Sequence, residues 1–207
     1  MFLNRNLLFA VGIILLILNA CSPKDIRALQ QKELTAENLN VFSSQIDFSS
    51  KGLAKFRFHI AAFDQNLSGL LILQEQEDSI RAVMMTDFGL KVIDISFFNQ
   101  SAYRINHIMK HIDYDFVKES FALNLMMILP LPQKGNLRYY LKNDLQYIYQ
   151  KETQILRLYN RENNLRKVER YTRGSKIVST ANYKPELMEW VIIQENPSIE
   201  MIIKRLK

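Results

Sequence analysis

The sequence is almost without cysteine. The single one, Cys21, stands near the N-terminus, and the chain has no second thiol with which it could pair. An intramolecular disulfide is therefore excluded. The fold must be stabilised by the burial of apolar side chains, which make up 48% of the 207 residues.

Long apolar runs and long blocks of one charge are also missing. The apolar run from Leu7 to Leu18 has 12 residues, whereas a membrane-spanning helix needs about 20. The net charge of +6 is dispersed, with alternating signs along the chain. Such an excess suits a protein beside anionic lipid and is poor evidence for nucleic-acid binding, so we predict no nucleic-acid partner.

The N-terminus has the order of a bacterial export signal. Arg5 provides a short basic region, and the run from Leu7 to Leu18 provides the apolar core. The stretch from Leu18 to Cys21 resembles a bacterial lipobox, because an aliphatic residue lies three positions before the cysteine and a small one directly before it. The resemblance implies a diacylglyceryl group on the Cys21 sulfur and cleavage before Cys21.

The chain then divides into three parts. Residues 1–20 are predicted to be a lipoprotein signal peptide, residues 21–40 a polar tether, and residues 41–207 one folded domain. An acylated Cys21 would hold the protein to membrane lipid, since each buried methylene contributes about 0.8 kcal/mol. Ser22, not aspartate, follows the cysteine, and by resemblance to known sorting rules this favours the outer membrane.

From residue 55 onward, polar and apolar residues mostly alternate, which predicts β-strands. One segment breaks the pattern: Asp113 to Leu129 starts with acidic residues, becomes apolar on all sides and stops at Pro130, as expected of a buried helix. Strands are predicted at residues 55–60, 67–74, 80–86, 90–98, 103–109, 138–149, 153–159, 166–171, 176–183, 187–194 and 198–206.

The short connections between these strands exclude a parallel α/β fold, which needs a crossover helix after each strand. We predict a mainly β fold of the α+β class. About ten antiparallel strands would form a half-barrel or open barrel curled around the one buried helix.

Several strings, in this order, resemble the LolB family of outer-membrane lipoproteins. Strands Leu67–Gln74 and Arg81–Thr86, followed by the turn Asp87–Leu90, are similar to the family's segment that ends in an Asn-Pro-Leu-Gly turn. The helix end Met126–Pro132 is similar to the family's helix and following Leu-Pro turn, and Ile199–Lys204 to its closing strand. The resemblance implies a half-barrel with an apolar cavity for acyl chains.

The resemblance, which runs from about Lys55 to Lys207, also implies a function. Such a protein would be an outer-membrane lipoprotein, facing the periplasm, that receives lipoproteins from a LolA-like carrier and inserts them into the membrane. It would act as a monomer without a cofactor. Phe88 stands where the family's turn displays an exposed leucine that matters for delivery. It would contact membrane or partner, or alternatively fold back over the open end of the sheet.

Nine apolar residues of the strands and helix are candidates for the cavity lining. Each suits a closed core equally well, and the sequence leaves both open; methionine is favoured where a surface must accept variable apolar shapes. The nine are Phe56, Phe58, Leu71, Leu73, Met84, Val92, Ile95, Met126 and Met127.

Signatures of catalysis are missing from the sequence, which has neither a Gly-x-Ser-x-Gly motif nor a phosphate loop. His107 and His111 have a spacing that can hold a metal on a helix, but a strand-to-helix passage fits them equally well. We predict a protein that is not an enzyme and has no metal. The alternatives to lipoprotein insertion are a lipid-anchored interaction module of an envelope or cell-surface complex, and a carrier or sensor of another amphiphile.

Overall fold

A computed structural model of the protein describes residues 30–32, 46–98, 102–130, 137–173 and 175–206. Within them the chain forms thirteen strands, the helix α1 (Asp115–Ile128) and two short 3-10 turns, Lys110–Ile112 and Pro185–Leu187. The strands are β1 (Gln30–Lys32), β2 (Leu53–Ala62), β3 (Gln65–Gln76), β4 (Ser79–Thr86), β5 (Lys91–Phe98), β6 (Tyr103–Ile108), β7 (Leu137–Lys142), β8 (Leu145–Gln150), β9 (Ile155–Tyr159), β10 (Leu165–Tyr171), β11 (Ile177–Lys184), β12 (Glu189–Gln194) and β13 (Ile199–Arg205).

All of these strands belong to one sheet in the order β1-β7-β8-β9-β10-β11-β12-β13-β2-β3-β4-β5-β6. Every neighbouring pair is antiparallel. The edge strands β1 and β6 do not pair with each other, so the sheet is open. The predicted fold, an open antiparallel sheet with one buried helix, is confirmed.

The strand count exceeds the prediction for two reasons. The stretch predicted as one strand over residues 138–149 is the hairpin β7–β8, which turns at Asn143 and Asp144 with φ of 47° and 63°. These values are typical of a two-residue type I′ turn, and Asn and Asp tolerate them well. In addition, β1 lies in the predicted tether and pairs with β7. The signal peptide and Cys21 lie outside the described residues, and the domain boundary at residue 40 stays a prediction.

Alternation of buried and exposed residues separates the two faces of the sheet. In β2, Phe56, Phe58 and Ile60 are buried, whereas Arg57 and His59 are exposed. The buried residues face α1 and form one core with it. Among the described residues, no helix is long and apolar enough to cross a membrane.

Two buried polar side chains of α1 fix its position on the sheet. The Asn124 amide donates to the Gln194 Oε1 atom of β12 over 3.0 Å, and the Gln194 amide donates to the Ser120 hydroxyl over 3.1 Å. A helix that slides along the sheet would lose both bonds, and this is costly because buried amides would be left unpaired. Apolar burial holds α1 on the sheet, and these bonds define where it sits.

The C-terminus of α1 is capped by Arg157 of β9, a side chain only 2% exposed. Its guanidinium donates to the carbonyl oxygens of Met126 (2.9 Å) and Leu129 (3.4 Å) and to Gln150 Oε1 (3.2 Å). The last carbonyls of a helix lack partners and carry the negative end of its dipole, so a cation is favourable there. Burial lowers the pKa of Arg157.

Strands β3 and β4 approach unusually closely at Gly69. A Cβ atom there would lie 1.9 Å from the backbone oxygen of Met85. The position therefore requires glycine because of space and not because of backbone conformation.

We expect Gly69→Ala to lower the free energy of unfolding by about 3 kcal/mol, because β3 and β4 must separate to admit the methyl group. Gly89→Ala is the control: its Cβ would meet no atom within 4 Å, and its left-handed backbone costs only about 1 kcal/mol. Urea unfolding of the two variants measures both losses. Equal losses would contradict the steric interpretation.

Candidate functional site

The nine predicted cavity or core residues are all buried, and none is more than 7% exposed. They pack in one cluster with the apolar side chains of α1, among them Ala122 and Leu125. The structure places them in the core because the helix occupies the inner face of the sheet. None of them lines the apolar pocket at the end of the sheet.

We call this pocket the end pocket. It has a volume of about 300 Å³ and opens beside the N-terminal end of α1. The volume is at the lower limit of ligand sites, which typically measure about 300–1,000 Å³. Three parts of the chain form it: the β2–β3 hairpin, the 3-10 turn after β6, and the first turns of α1. The lining residues are Ile60, Ala62, Phe63, Gln65, Leu67, His111, Ile112, Tyr114, Phe116, Val117 and Phe121.

Three exposed aromatic side chains form the rim of the end pocket. The Phe63 and Phe116 rings meet edge to face, and Tyr114 stacks on Phe116, each pair with centroids 5.8 Å apart. Phe63 has a φ of 52° in the two-residue turn that it forms with Asp64. A bulky residue with positive φ is uncommon and strained, and such strain tends to be kept where a side chain has a function.

An ion-pair cluster lies near the rim. Lys118 contacts the carboxylates of Asp113 (2.8 Å) and Asp115 (3.0 Å). These hydrogen bonds, the one to Asp113 first, raise the pKa of Lys118. The end pocket can therefore hold an apolar chain by burial, with its polar end at a mouth where one cation contacts two carboxylates.

The two histidines considered for a metal site lie on different elements. His107 is in β6, and His111 is in the 3-10 turn and lines the end pocket. They therefore do not share a helix face. Within the described ranges, no group of three or more His, Cys, Asp or Glu side chains could hold a metal ion.

Phe88 lies at the tip of the β4–β5 hairpin and is 94% exposed. It does not fold back over the sheet, and its predicted contact with membrane or partner stays a prediction. Leu90 in the same turn is also exposed. The Thr86 N–H donates to the Leu90 carbonyl (2.8 Å) and the Gly89 N–H to the Thr86 carbonyl (2.9 Å), which closes the turn. Asp87 pairs with Arg57 over 2.8 Å.

The end pocket and Phe88 lie at the same end of the sheet. Ala62 at the end of β2 pairs with Gln65, and Gly69 further along β3 pairs with Thr86 at the end of β4. The two hairpin tips therefore point the same way, two strand spacings or about 10 Å apart across the sheet, with the β4–β5 tip set back along the strands by a few residues. The chain after β6 returns to this end too, since Met109 donates to the carbonyl of Val92 at the start of β5.

A buried carboxylate supports the base of the Phe88 hairpin. Asp94, 1% exposed on the outer face of β5, accepts two hydrogen bonds from Arg81 (2.9 and 2.6 Å) and one each from Lys91 (3.2 Å) and Asn106 (3.1 Å). The Arg81 bonds first of all hold the pKa of Asp94 well below its usual range. Sequence reasoning missed this network; the signal was an aspartate inside the apolar run Val92–Phe97.

Comparison with known proteins shows the fold and no closer relationship. No family model matches the sequence, and neither does any curated protein. A solved structure from Vibrio parahaemolyticus, of an outer membrane lipoprotein-sorting protein domain, has a TM-score of 0.50 at 11% identity and covers 75% of this chain and 83% of its own. A DUF1329 family protein from Desulfovibrio piger gives a TM-score of 0.47 at 6% identity, covering 83% and 88%.

The Vibrio structure therefore shares its fold with this chain. The resemblance found in the sequence is supported at the level of this lipoprotein-sorting fold, and not for the LolB family in particular.

We expect Asp94→Asn to lower the free energy of unfolding near neutral pH by about 2–3 kcal/mol, because hydrogen bonds to a buried charge are lost. A carboxylate with a depressed folded pKa stabilises the fold above its unfolded pKa of about 3.9 and loses this effect as pH falls below it. The difference between parent and variant should therefore shrink on acidification below about pH 4. Urea titrations across this range measure it, with the exposed Asp78→Asn as control; a constant difference would contradict the assignment.

Proposed function

We propose that this protein is a lipid-anchored component of the bacterial envelope that binds acyl chains and helps to insert lipoproteins into the outer membrane. One observation carries the proposal: an open apolar pocket and a fully exposed aromatic tip, Phe88, lie at the same end of the sheet. The lipoprotein-sorting fold of the Vibrio domain supports the same reading.

In this proposal the end pocket receives the alkyl chain. Ile60, Leu67 and Val117 provide an apolar wall from two strands and the helix, and each buried methylene contributes about 0.8 kcal/mol. Gln65 and His111, which also line the end pocket, would face the polar end of the ligand. The end pocket accommodates only part of a long chain, so a lipoprotein would be held by the end of one acyl chain.

Transfer then requires no nucleotide or cofactor. The alkyl surface would move from a LolA-like carrier to the end pocket and from there to the bilayer, each step downhill because apolar surface is more completely removed from water. The protein holds and releases the chain, and no bond is made or broken. It is therefore proposed to be a monomeric binding protein and not an enzyme.

Phe88 would enter the bilayer or the partner during delivery. A phenylalanine that moves from water into lipid gains about 1.5–3 kcal/mol. Gly89, with a φ of 78° and open space around it, permits the sharp turn that presents the ring. The acylated Cys21 predicted from the sequence would keep the protein at the outer membrane, facing the periplasm.

A lipid-anchored interaction module is the second candidate. The observation that favours it is the closed core: the nine residues that were candidates for a cavity wall are buried in the core against α1. In that case the end pocket and Phe88 would be a docking surface for a protein and would bind no lipid.

Ala62→Trp separates these two candidates, because Ala62 lines the end pocket and the indole would fill it. We expect binding of a fluorescent fatty acid to weaken at least tenfold. Ala61→Trp is the matched control, since adjacent residues of a strand point to opposite faces. Fluorescence titration of both full-length variants measures the affinities. Equal binding by both variants and the parent would exclude the end pocket as the acyl site.

Phe88→Glu tests the delivery step, because a charged tip cannot enter a bilayer without a large desolvation cost. We expect fatty-acid binding to be unchanged and the amount of lipoprotein delivered to membranes to fall severalfold. Phe88→Leu keeps an apolar tip and should retain delivery. Fractionation of lipoproteins in cells that express each variant measures the effect. Normal delivery by a folded Phe88→Glu protein would show that the tip has no insertion role.

A further inference from the structure

Of the nine large apolar side chains that are exposed among the described residues, five lie at one end of the sheet. Phe63 lies in the β2–β3 turn, Phe88 and Leu90 lie in the β4–β5 turn, and Tyr114 and Phe116 lie where α1 begins. Three separate connections thus present five large apolar side chains at the end where the end pocket opens. We call this set the apolar end.

We propose that the apolar end is a bilayer-contacting surface, on which the protein stands with the mouth of the end pocket facing the lipid. The inference rests on the proposed function and deepens it: Phe63, Tyr114 and Phe116 become membrane contacts in addition to Phe88. Aromatic side chains favour the boundary between lipid and water, and the half-exposed rings of Phe63, Tyr114 and Phe116 would lie at that boundary.

The continuity between the apolar end and the end pocket favours lipid as the occupant. Phe63, Tyr114 and Phe116 belong to both. If the rim rests in the bilayer, an alkyl chain passes from lipid to pocket along apolar side chains without crossing water. A contact with a soluble protein would instead close the mouth of the end pocket.

Charge has a minor part in this contact. Among the described residues at this end, Arg57 is paired with Asp87, and Lys118 with Asp113 and Asp115. Lys110 and Asp64 are exposed and form no ion pair with any described residue, and their charges are of opposite sign. Little net charge is left to attract anionic headgroups, so the contact should depend on apolar insertion and be nearly independent of lipid charge and salt.

The predicted anchor permits this orientation without imposing it. Nine peptide steps lead from Cys21 to Gln30 at the start of β1, and they can span at most about 30 Å. The six residues of β7 beside it extend about 20 Å, so an anchored chain can turn either end of the sheet to the bilayer. The apolar side chains decide between the ends.

The opposite end is the natural comparison. Its exposed large apolar side chains, among the described residues, are Phe98, Leu187 and Leu206, and each is less exposed than any of the five at the apolar end. Leu187 lies in the 3-10 turn between β11 and β12 and serves as the reference position.

The test uses the full-length protein reconstituted into phosphatidylcholine vesicles that contain spin-labelled lipid. Phe63→Cys, Phe116→Cys and Leu187→Cys are each labelled with a nitrobenzoxadiazole thiol dye, whose fluorescence the spin label quenches on contact. The parent, with Cys21 alone, gives the labelling blank, and thermal unfolding checks that each variant is folded. We expect several-fold stronger quenching at positions 63 and 116 than at 187, with the same result when anionic lipid is added.

Strong quenching at 187 with little at 63 and 116 would overturn the inference, and so would equal quenching at all three. No quenching at any position would mean that the apolar end does not contact lipid, and this also refutes the inference. Failure of the proposed function is seen separately: quenching as expected, with fatty-acid binding unaffected by Ala62→Trp, would retain the bilayer contact and reject the acyl site.

Discussion

The burial of α1 against the inner face of the open sheet is the interaction on which the rest of the structure depends. An open sheet has no second sheet to cover its apolar face, and α1 supplies that cover with residues from Val117 to Ile128. Arg157 and Gln194 fix the helix at two points. The end pocket lies where the helix begins, beside the β2–β3 hairpin, and Phe116 and Val117 of the first helical turn line it.

Much of the fold follows from patterns that are local in sequence. The alternation in β2 predicts its buried face, and the unbroken apolar run that ends α1 predicts a helix covered on all sides. Other features depend on partners far apart in the chain. The end pocket joins Ala62 to Val117, and no period in the sequence indicates that pair. An arginine in a strand is normally exposed, so the burial of Arg157 becomes understandable only once the helix C-terminus lies beside it.

For the same reason, the sequence could not show whether the nine apolar candidates line a cavity or fill the core. Phe56, Met84 and Met127 have the composition that either would require, and only the position of α1 assigns them to the core. The sequence left open whether Phe88 is exposed or folds back over the sheet. The short turn between Thr86 and Leu90, closed by hydrogen bonds, leaves the side chain exposed. The candidate site is therefore smaller than a half-barrel cavity. It is the end pocket, which lies at one end of the sheet close to Phe88.

The extra residue in β6 has a consequence for assembly. Asp94 pairs with His107 and Ile95 with Ile105, so Asn106 bulges from the outermost strand. Edge strands with regular free donors and acceptors invite neighbours to join and propagate into fibres, and a bulge with polar residues prevents that alignment. A regular open edge would otherwise risk pairing with other copies of the chain. The same irregularity that gives Asp94 its amide partner also obstructs such pairing at β6.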